Sequence, residues 1–274
     1  MVHLKDNKEW QIPFVGFMVR GLLMFSIKVA DSKIVKDVFT AISTLVDEAT
    51  FDVTPDRISL RAMDPSRVAM VDFLMEKSAF DEYNATEKMK ICMNMSELLK
   101  LLRRAGRDES VELSLDEKTG QFRIVIKGRY NRSFNMPTLE ATEEEIPTPN
   151  ITFNARATLT TEGLRQALDD VALVSDHVRI ETDGEKILMN AKGDLMGANI
   201  EMQKGSDALL SVESKEPSKA TFSLSYLTEI VRAAGATSDV VAIEFSTDMP
   251  IRLDFKQQYE GKLAYYLAPR IEVE

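Results

Sequence analysis

Four basic side chains recur along one short segment at spacings that place them on a single face of an α-helix. They stand at i, i+3, i+4 and i+7: Lys100, Arg103, Arg104 and Arg107. Residues at these separations are neighbours on a helix surface, where like charges repel by roughly a few tenths of a kcal/mol per pair. A solvated helix usually mixes both signs. The pattern therefore indicates either an ordinary wet face or a stripe that binds a polyanion.

This segment has a second copy in the chain. Residues 96–106 read SELLKLLRRAG, and residues 225–235 read SYLTEIVRAAG, with Ser, Leu, Arg, Ala and Gly at matching places. The order of elements around the two segments repeats as well: strand, helix, strands, helix, strands. The sequence therefore predicts an α+β protein built from two similar domains by duplication.

The other predicted helices carry basic residues that are accompanied by acids. No aromatic residues interleave with these basic residues, and no group of Asn or Gln side chains lies beside them. If these helices bind a nucleic acid, we therefore expect them to contact its phosphates and not its bases. The positions are Lys33 and Lys36 with Asp37, Arg165 with Asp169, and Arg232 with Glu229.

The composition excludes several kinds of site. The chain has 274 residues, 44% of them apolar, and a net charge of −10. That charge argues against indiscriminate coating of nucleic acid, yet it allows a local basic surface, because the Debye length is about 8 Å at physiological salt. Cys92 is the only cysteine and His3 and His177 are the only histidines. A disulfide, a zinc site and a Cys–His nucleophile are therefore not expected, and neither is a cofactor.

An enzymatic alternative depends on two carboxylate clusters that could hold Mg²⁺. They are Asp169-Asp170 and residues 143–145, which read EEE. Adjacent positions on a helix point to different faces, and the second cluster lies in a predicted linker. No glycine-rich phosphate loop and no G-x-S-x-G motif accompanies them, so a non-enzymatic protein is favoured.

Hydrophobic periodicity predicts the elements and the domain limits. After the N-cap types Asp31 and Ser32, a helix is expected over residues 33–48, and a second over residues 96–106 with Gly106 as its C-cap. Two further helices are expected over residues 160–175 and 225–235. The domains then span residues 24–136 and 151–274, joined by a proline-rich linker over residues 137–150.

The first 23 residues stand outside this pattern. Their apolar part, IPFVGFMVRGLLMF, is shorter than the about 20 residues that a membrane span needs, and it lacks a signal-peptide cleavage site. We expect a mobile extension, or an upstream start codon with the real start at Met24.

Several separated segments resemble the PCNA sliding clamps in their archaeal form. They are LRAMDPSRVAMVDF at residues 60–73, LVSD at 173–176, TDMPIRLDF at 247–255 and YYLAPRIE at 265–272. The resemblance implies a pseudo-sixfold ring of three subunits around duplex DNA, with helices lining the hole and sheets outside. The phosphate-facing residues would be Lys33, Lys36, Lys100, Arg103, Arg104, Arg107, Arg165 and Arg232.

Ring closure in this family pairs an edge strand of one subunit with an edge strand of the next. The matching segments are residues 127–135 and residues 195–203, and an exposed sheet edge invites such pairing. Across this interface we expect Arg129 and Arg132 to meet Asp194 or Glu201. A homotrimer is expected, with an obligate heterotrimer as the alternative.

The resemblance also implies a docking site for partner proteins beneath the linker, where a short motif ending in two aromatics enters an apolar pocket. Polymerase, flap endonuclease, ligase and the ATP-driven clamp loader, replication factor C, would bind there, in the cytoplasm at the nucleoid. Glu144 stands where relatives often have an apolar residue, and Met63, Met70 and Leu267 could equally be core. The matching positions are Met63, Arg67, Val68, Met70, Leu139, Ile146, Pro147, Pro250, Tyr266, Leu267, Ala268 and Pro269.

Overall fold

The structure is a computed structural model, and it describes residues 23–116, 118–141 and 146–270. The predicted N-terminal extension, apart from Leu23, and the acidic cluster at residues 143–145 lie outside these ranges.

The first domain follows the predicted order, with one strand that the sequence pattern did not reveal. That strand is β5, a four-residue edge strand too short to show a clear alternation. In chain order the elements are β1 (Leu23–Val29), α1 (Ser32–Ser43), β2 (Glu48–Val53), β3 (Arg57–Met63), β4 (Ala69–Glu76), β5 (Glu82–Ala85), β6 (Met89–Asn94), α2 (Met95–Leu102), β7 (Ser110–Asp116), β8 (Gln121–Lys127) and β9 (Arg132–Pro137).

The second domain repeats this order and again contains one unpredicted strand, β15. Its polar side chains alternate with the small Ala220 and only one large apolar residue, Phe222. The elements are β10 (Ala155–Thr160), α3 (Thr161–Ala172), β11 (His177–Thr182), β12 (Lys186–Lys192), β13 (Gly197–Gln203), β14 (Leu209–Ser214), β15 (Ser218–Ser223), α4 (Leu224–Ala234), β16 (Val240–Phe245), β17 (Ile251–Phe255) and β18 (Gly261–Leu267).

One nine-stranded sheet contains strands of both domains. Its order is β14-β10-β16-β17-β18-β4-β3-β2-β6, and the domains join where β18 pairs antiparallel with β4. Two smaller sheets, β5-β1-β7-β8-β9 and β13-β12-β11-β15, belong to the first and second domain respectively. The α+β class and the duplicated architecture are therefore confirmed.

The four helices of the described chain pack side by side, in the order α2, α1, α4, α3. Each buries an apolar stripe at helical spacing, as Val35, Val38 and Ile42 do on α1. The Tyr265 hydroxyl on β18 donates to the carbonyl of Ala41 on α1 at 2.8 Å. This contact fixes which face of the large sheet the helices cover. Since side chains alternate along a strand, the neighbours of Tyr265 in sequence point to the opposite face.

Three predicted helix ends are wrong, and tertiary hydrogen bonds explain the error at the second helix. The third helix, expected to reach residue 175, ends at Ala172. The first helix ends at Ser43 rather than at residue 48, because β2 begins at Glu48. The second ends at Leu102, with Arg103 rather than Gly106 as its C-cap. The carbonyl of Gly106 instead accepts from the Ser32 hydroxyl at 2.7 Å. Contacts with α1 therefore end the helix before its apolar pattern does.

The strands in the predicted interface segments, and the start of the linker, also differ from the predicted bounds. Residues 127–135 are not one strand, because β8 ends at Lys127 and β9 begins at Arg132. The segment at residues 195–203 begins as a turn, in which the Gly193 amide donates to the Met196 carbonyl at 2.9 Å. Pro137, placed in the linker, closes β9.

Gly193 approaches the end of α3 too closely for a side chain. A Cβ at this position would lie 2.3 Å from the carbonyl oxygen of Val174, whereas a Cβ on Gly197 would meet only the carbonyl of Ala191 at 3.6 Å. Gly193→Ala should therefore destabilise the protein by about 1–3 kcal/mol through overpacking. Gly197→Ala in the same turn is the matched control and should be neutral. Denaturant unfolding of both variants measures the difference, and equal stabilities would contradict this account.

Candidate functional sites on the two faces of the large sheet

The exposed cations of the helix layer are concentrated at the end of α2. Lys100 is exposed on the helix, and Arg103, Arg104 and Arg107 are exposed in the segment that follows it. The Lys100 ammonium lies 3.7 Å from the Glu97 carboxylate, a weak pair in solvent. Arg107 lies beyond the helix, so the predicted helical stripe continues as a basic loop. A dense positive surface nevertheless results.

The basic segment, residues 103–109, is held in place by hydrogen bonds between side chains and its main chain. The Lys36 ammonium donates to the Ala105 carbonyl at 3.0 Å, and an Arg132 amino group donates to the Arg104 carbonyl at 2.7 Å. The Gly106 amide donates to the Glu109 carboxylate at 2.7 Å, and Arg132 also pairs with that carboxylate. The Gly106 amide and then Arg132 hold the pKa of Glu109 below its ordinary value. Lys36, predicted to face phosphates, thus supports the segment that carries the exposed arginines.

The cations of the second domain are largely neutralised by neighbouring acids. Arg165 donates to both carboxylate oxygens of Glu162, at 2.7 and 2.6 Å, and to Asp169 at 2.6 Å. Arg165, and after it Gln166, lowers the pKa of Glu162 to about 2. Arg232 is exposed but lies 3.5 Å from Asp169. On α1, Lys33 is exposed and pairs with Asp37. The positive surface therefore belongs mainly to the first domain.

An apolar patch lies on the opposite face of the large sheet. Met63, Met70 and Tyr266 stand opposite one another on β3, β4 and β18, so their side chains share a face. Val68 and Met249 at its rim expose 37% and 41% of their surface. Met249 was not anticipated, because a single Met in a turn has no periodicity to mark it.

Leu267 and Met70 differ from the predicted pocket residues around them. Leu267 is 1% exposed, and because it lies two residues beyond Tyr265 it points toward the helices. It is therefore a core residue. Met70 lies on the patch face but is 4% exposed, so it forms the floor of the patch. Ala268 is exposed, and Pro250 and Pro269 are half-buried beside it.

The linker runs along the same face. The Leu139 amide donates to the Cys92 carbonyl at 2.8 Å, and the Ile146 carbonyl accepts from Arg61 at 3.3 Å. A groove of about 580 Å³ follows β2, β3 and β4 from Met63 to Ile146 and Pro147. Glu144 lies outside the described residues. Arg67, in the loop before β4, has a left-handed φ of 57°.

The two predicted interface segments contribute edge strands of different sheets. β9 closes the five-stranded sheet and β13 closes the four-stranded sheet. Arg132 pairs with Glu109, and Glu201 pairs with Lys186 at 2.7 Å, so both already have partners within the chain. Arg129 and Asp194 are exposed. Sequence reasoning missed the exposed apolar residues beside these strands, Tyr130, Leu195 and Met196.

Of the two carboxylate clusters that could hold Mg²⁺, only Asp169-Asp170 lies within the described residues. Asp169 is engaged by Arg165 and Arg232. Among the described residues, no group of three or more His, Cys, Asp or Glu is placed to hold a metal ion. None of the helices in the same ranges combines the length and apolar character that crossing a membrane requires.

The Glu109 carboxylate should stabilise the basic segment in a pH-dependent way. Because its pKa is lowered in the folded protein, its contribution is present above the ordinary pKa of Glu and is lost as the pH falls through the folded value. Glu109→Gln should therefore speed amide hydrogen exchange at Gly106 at neutral pH, and the difference from wild type should shrink in acid. Glu112→Gln, which breaks the Glu112–Lys127 pair, is the control. Unchanged exchange in Glu109→Gln would refute this role.

The described geometry matches known proteins over almost its whole length. The family models of the proliferating cell nuclear antigen (PCNA) N-terminal and C-terminal domains match residues 24–144 and 147–270. A DNA polymerase sliding clamp of Nitrosopumilus maritimus is 36% identical over 250 residues, covering 91% of this chain and 100% of that protein.

Solved structures agree with the sequence matches. The PCNA of Thermococcus kodakaraensis superposes with a TM-score of 0.85 at 26% identity, covering 90% of this chain and 100% of that one. The PCNA2–PCNA3 complex of Sulfolobus tokodaii gives 0.83 at 27% identity with the same coverage. PCNA-type clamps are processivity factors without enzymatic activity. The duplicated domains, the helix layer and these matches show that the chain belongs to the PCNA family of sliding clamps.

Proposed function

We propose that this chain encircles duplex DNA and tethers replication and repair enzymes to it. The observation that carries the proposal is the cluster of exposed cations on the helix layer of a chain whose net charge is −10. A basic surface confined to one side meets a polyanion on that side, while the acidic remainder repels it. The apolar patch lies on the opposite face of the large sheet and stays accessible to partners.

Contact with DNA would be made to phosphates. Arg103, Arg104 and Arg107 supply solvent-exposed charged side chains without accompanying aromatic residues for stacking. Binding of this kind is independent of sequence and weakens steeply with salt, as a protein that slides requires. Lys100, Lys33 and Arg232 would add weaker contacts, because each shares its charge with a nearby acid.

Ring closure would join β9 of one subunit to β13 of the next. Both are edge strands, and exposed apolar residues flank them, Tyr130 beside β9 and Leu195 with Met196 before β13. An intersubunit pair between Arg132 and Glu201 would have to replace their intrachain partners, whereas Arg129 and Asp194 are exposed. We propose a homotrimer. The Sulfolobus tokodaii complex of two different PCNA chains supports a heteromeric ring as the alternative.

The apolar patch would receive a short partner motif that ends in two aromatic residues. Such a motif fills a pocket with a few large side chains, and flexible methionines such as Met63 and Met249 suit several partners. DNA polymerase, flap endonuclease, ligase and the ATP-driven clamp loader would share this patch. Tethering raises the effective concentration of each enzyme at the DNA without changing its chemistry. The ring would act in the cytoplasm, at the nucleoid.

The assembly is tested by the native mass in solution. Light scattering on the purified protein at modest salt should give three times the chain mass of 30.8 kDa. A monomer that forms a trimer only with other clamp subunits would favour the heteromeric ring. A stable monomer or dimer under all these conditions would contradict ring closure.

The DNA contact is tested by a triple substitution of Arg103, Arg104 and Arg107 to Gln. Each lost phosphate contact should lower the slope of log affinity against log salt by about 0.9, so the triple variant should lose about two to three units of slope. Fluorescence anisotropy with a short duplex measures this.

The control for that measurement carries Gln at three exposed lysines away from the helix layer, Lys77, Lys88 and Lys118. Its net charge changes by the same amount. If both variants lost the same slope, the effect would come from overall charge, and the proposed surface would be wrong.

A further inference from the structure

We infer that Asp64 is a positioning residue for the rim of the apolar patch, and that Tyr226 of the second domain holds Asp64 in place. The inference rests on the proposed function, because it concerns the same patch. Asp64 lies in the loop between β3 and β4, which carries Arg67 and Val68. Tyr226 lies on α4, in the helix layer.

Asp64 is a buried carboxylate that accepts hydrogen bonds on both oxygens. It is 5% exposed. Oδ1 accepts from the amides of Val68 at 2.8 Å and Ala69 at 2.7 Å, and Oδ2 accepts from the amide of Ser66 at 3.0 Å. The Tyr226 hydroxyl donates to Oδ2 at 2.8 Å. Two of these bonds come from the loop, one comes from the first residue of β4, and the fourth comes from the other domain.

These bonds determine where the rim of the patch lies. The main chain of Asp64 forms two further hydrogen bonds. Its amide donates to the Ala69 carbonyl at 3.0 Å, and its carbonyl accepts from the Arg67 amide at 2.9 Å. The loop is thereby closed around one side chain, and Arg67 is held at a φ of 57°. A non-glycine residue adopts this conformation only when surrounding contacts enforce it. Val68 is then presented outward at the rim.

The loop is also attached to the last strand of the second domain. The Ala268 amide donates to the Val68 carbonyl at 2.8 Å, directly beyond the end of β18. Val68 and Ala268, which belong to different domains, are therefore fixed side by side. A displacement of the loop would move one side of the patch relative to the other.

The Asp64–Tyr226 bond is a charge-assisted bond, which is stronger than a neutral one. Although burial opposes ionisation of Asp64, its hydrogen bonds keep its pKa below the ordinary value. The same bond, and then burial, raises the pKa of Tyr226. A cleft of about 390 Å³ lies beside the pair, lined also by Thr44, Leu45 and Glu229. Since this side is open, packing alone does not hold the loop, and the hydrogen bond carries more of the restraint.

The test compares two tyrosines that each lose only a hydroxyl. Tyr226→Phe removes the bond to Asp64 and keeps the ring. Tyr83→Phe is the matched control, because the Tyr83 hydroxyl also bonds across the first domain, to the carbonyls of Thr54 and Arg57, away from the loop. The probe is a short fluorescein-labelled peptide that ends in two adjacent phenylalanines, titrated with each variant of the full chain. Thermal unfolding is measured in parallel.

We expect Tyr226→Phe to weaken peptide binding about five- to tenfold, as the loss of one charge-assisted hydrogen bond would. Tyr83→Phe should change the Kd of the peptide by no more than about twofold. It should lower the melting temperature about as much as Tyr226→Phe does, because each variant loses one hydroxyl. A purely structural role for Tyr226 would move the melting temperature of both variants and the Kd of neither.

A double-mutant cycle locates the effect in the Asp64–Tyr226 pair. Asp64→Asn keeps an acceptor for Val68 and Ala69 but turns an amide donor toward Ser66, so we expect a larger loss than in Tyr226→Phe. The double variant should lose less than the sum of the two single losses, because each single change removes the same charge-assisted bond between the Tyr226 hydroxyl and the Asp64 carboxylate.

The failures of the inference and of the proposed function are distinguishable. Equal Kd values for wild type, Tyr226→Phe and Tyr83→Phe would overturn the positioning role of Asp64. Losses that add in the double variant would also overturn it. If the wild type itself bound the peptide without saturation, the partner-binding patch of the proposed function would be wrong instead.

Discussion

The pairing of β4 with β18 is the interaction on which the rest of the structure depends. It runs from Ala69↔Leu267 to Met75↔Gly261 and makes one continuous sheet from strands of both domains. Because strands within a sheet are held in register, this pairing also fixes the helices of one domain beside those of the other. The contact of Tyr265 with α1 ties the helix layer to the same seam. One face of the sheet is thereby committed to the helices, and the other stays available.

The charged side chains of the helix layer are distributed unevenly between the two domains. In the first domain, buried or half-buried groups such as Lys36 and Glu109 form bonds to main chain and leave three arginines in solvent. In the second, Glu162 and Asp169 surround Arg165 and neutralise it. The duplicated helices have kept their apolar stripes, since both must pack on a sheet, but their polar faces have diverged. α4, the copy of α2, keeps a single arginine, Arg232, which lies 3.5 Å from Asp169. The two repeated helices are therefore similar in packing and different in charge.

The sequence predicts the fold more completely than the site. Alternation and helical spacing are set by burial, so the duplication, the helices and most strands follow from the residues. The sequence does not predict a short strand such as β5, because four residues are too few to show a clear alternation. The end of α2 escapes because Ser32 and Lys36, distant in sequence, bind the main chain there. The family resemblance supplied the patch, but only strand register separates Met70, which faces the patch, from Leu267, which faces the core. The pairing of Arg132 with Glu109 left no trace in the sequence, because it joins two segments through side chains alone.

The two edge strands have a consequence for assembly. β9 and β13 differ in sequence and lie in different sheets, so the proposed contact would join unlike surfaces, the head of one subunit to the tail of the next. A contact of this type adds subunits without limit unless the rotation from one to the next returns the last subunit to the first. A small change in that angle would produce filaments in place of closed rings. The β4–β18 pairing joins the domain that carries β9 to the domain that carries β13, so in the proposed ring the stiffness of the large sheet would set the angle between one subunit and the next.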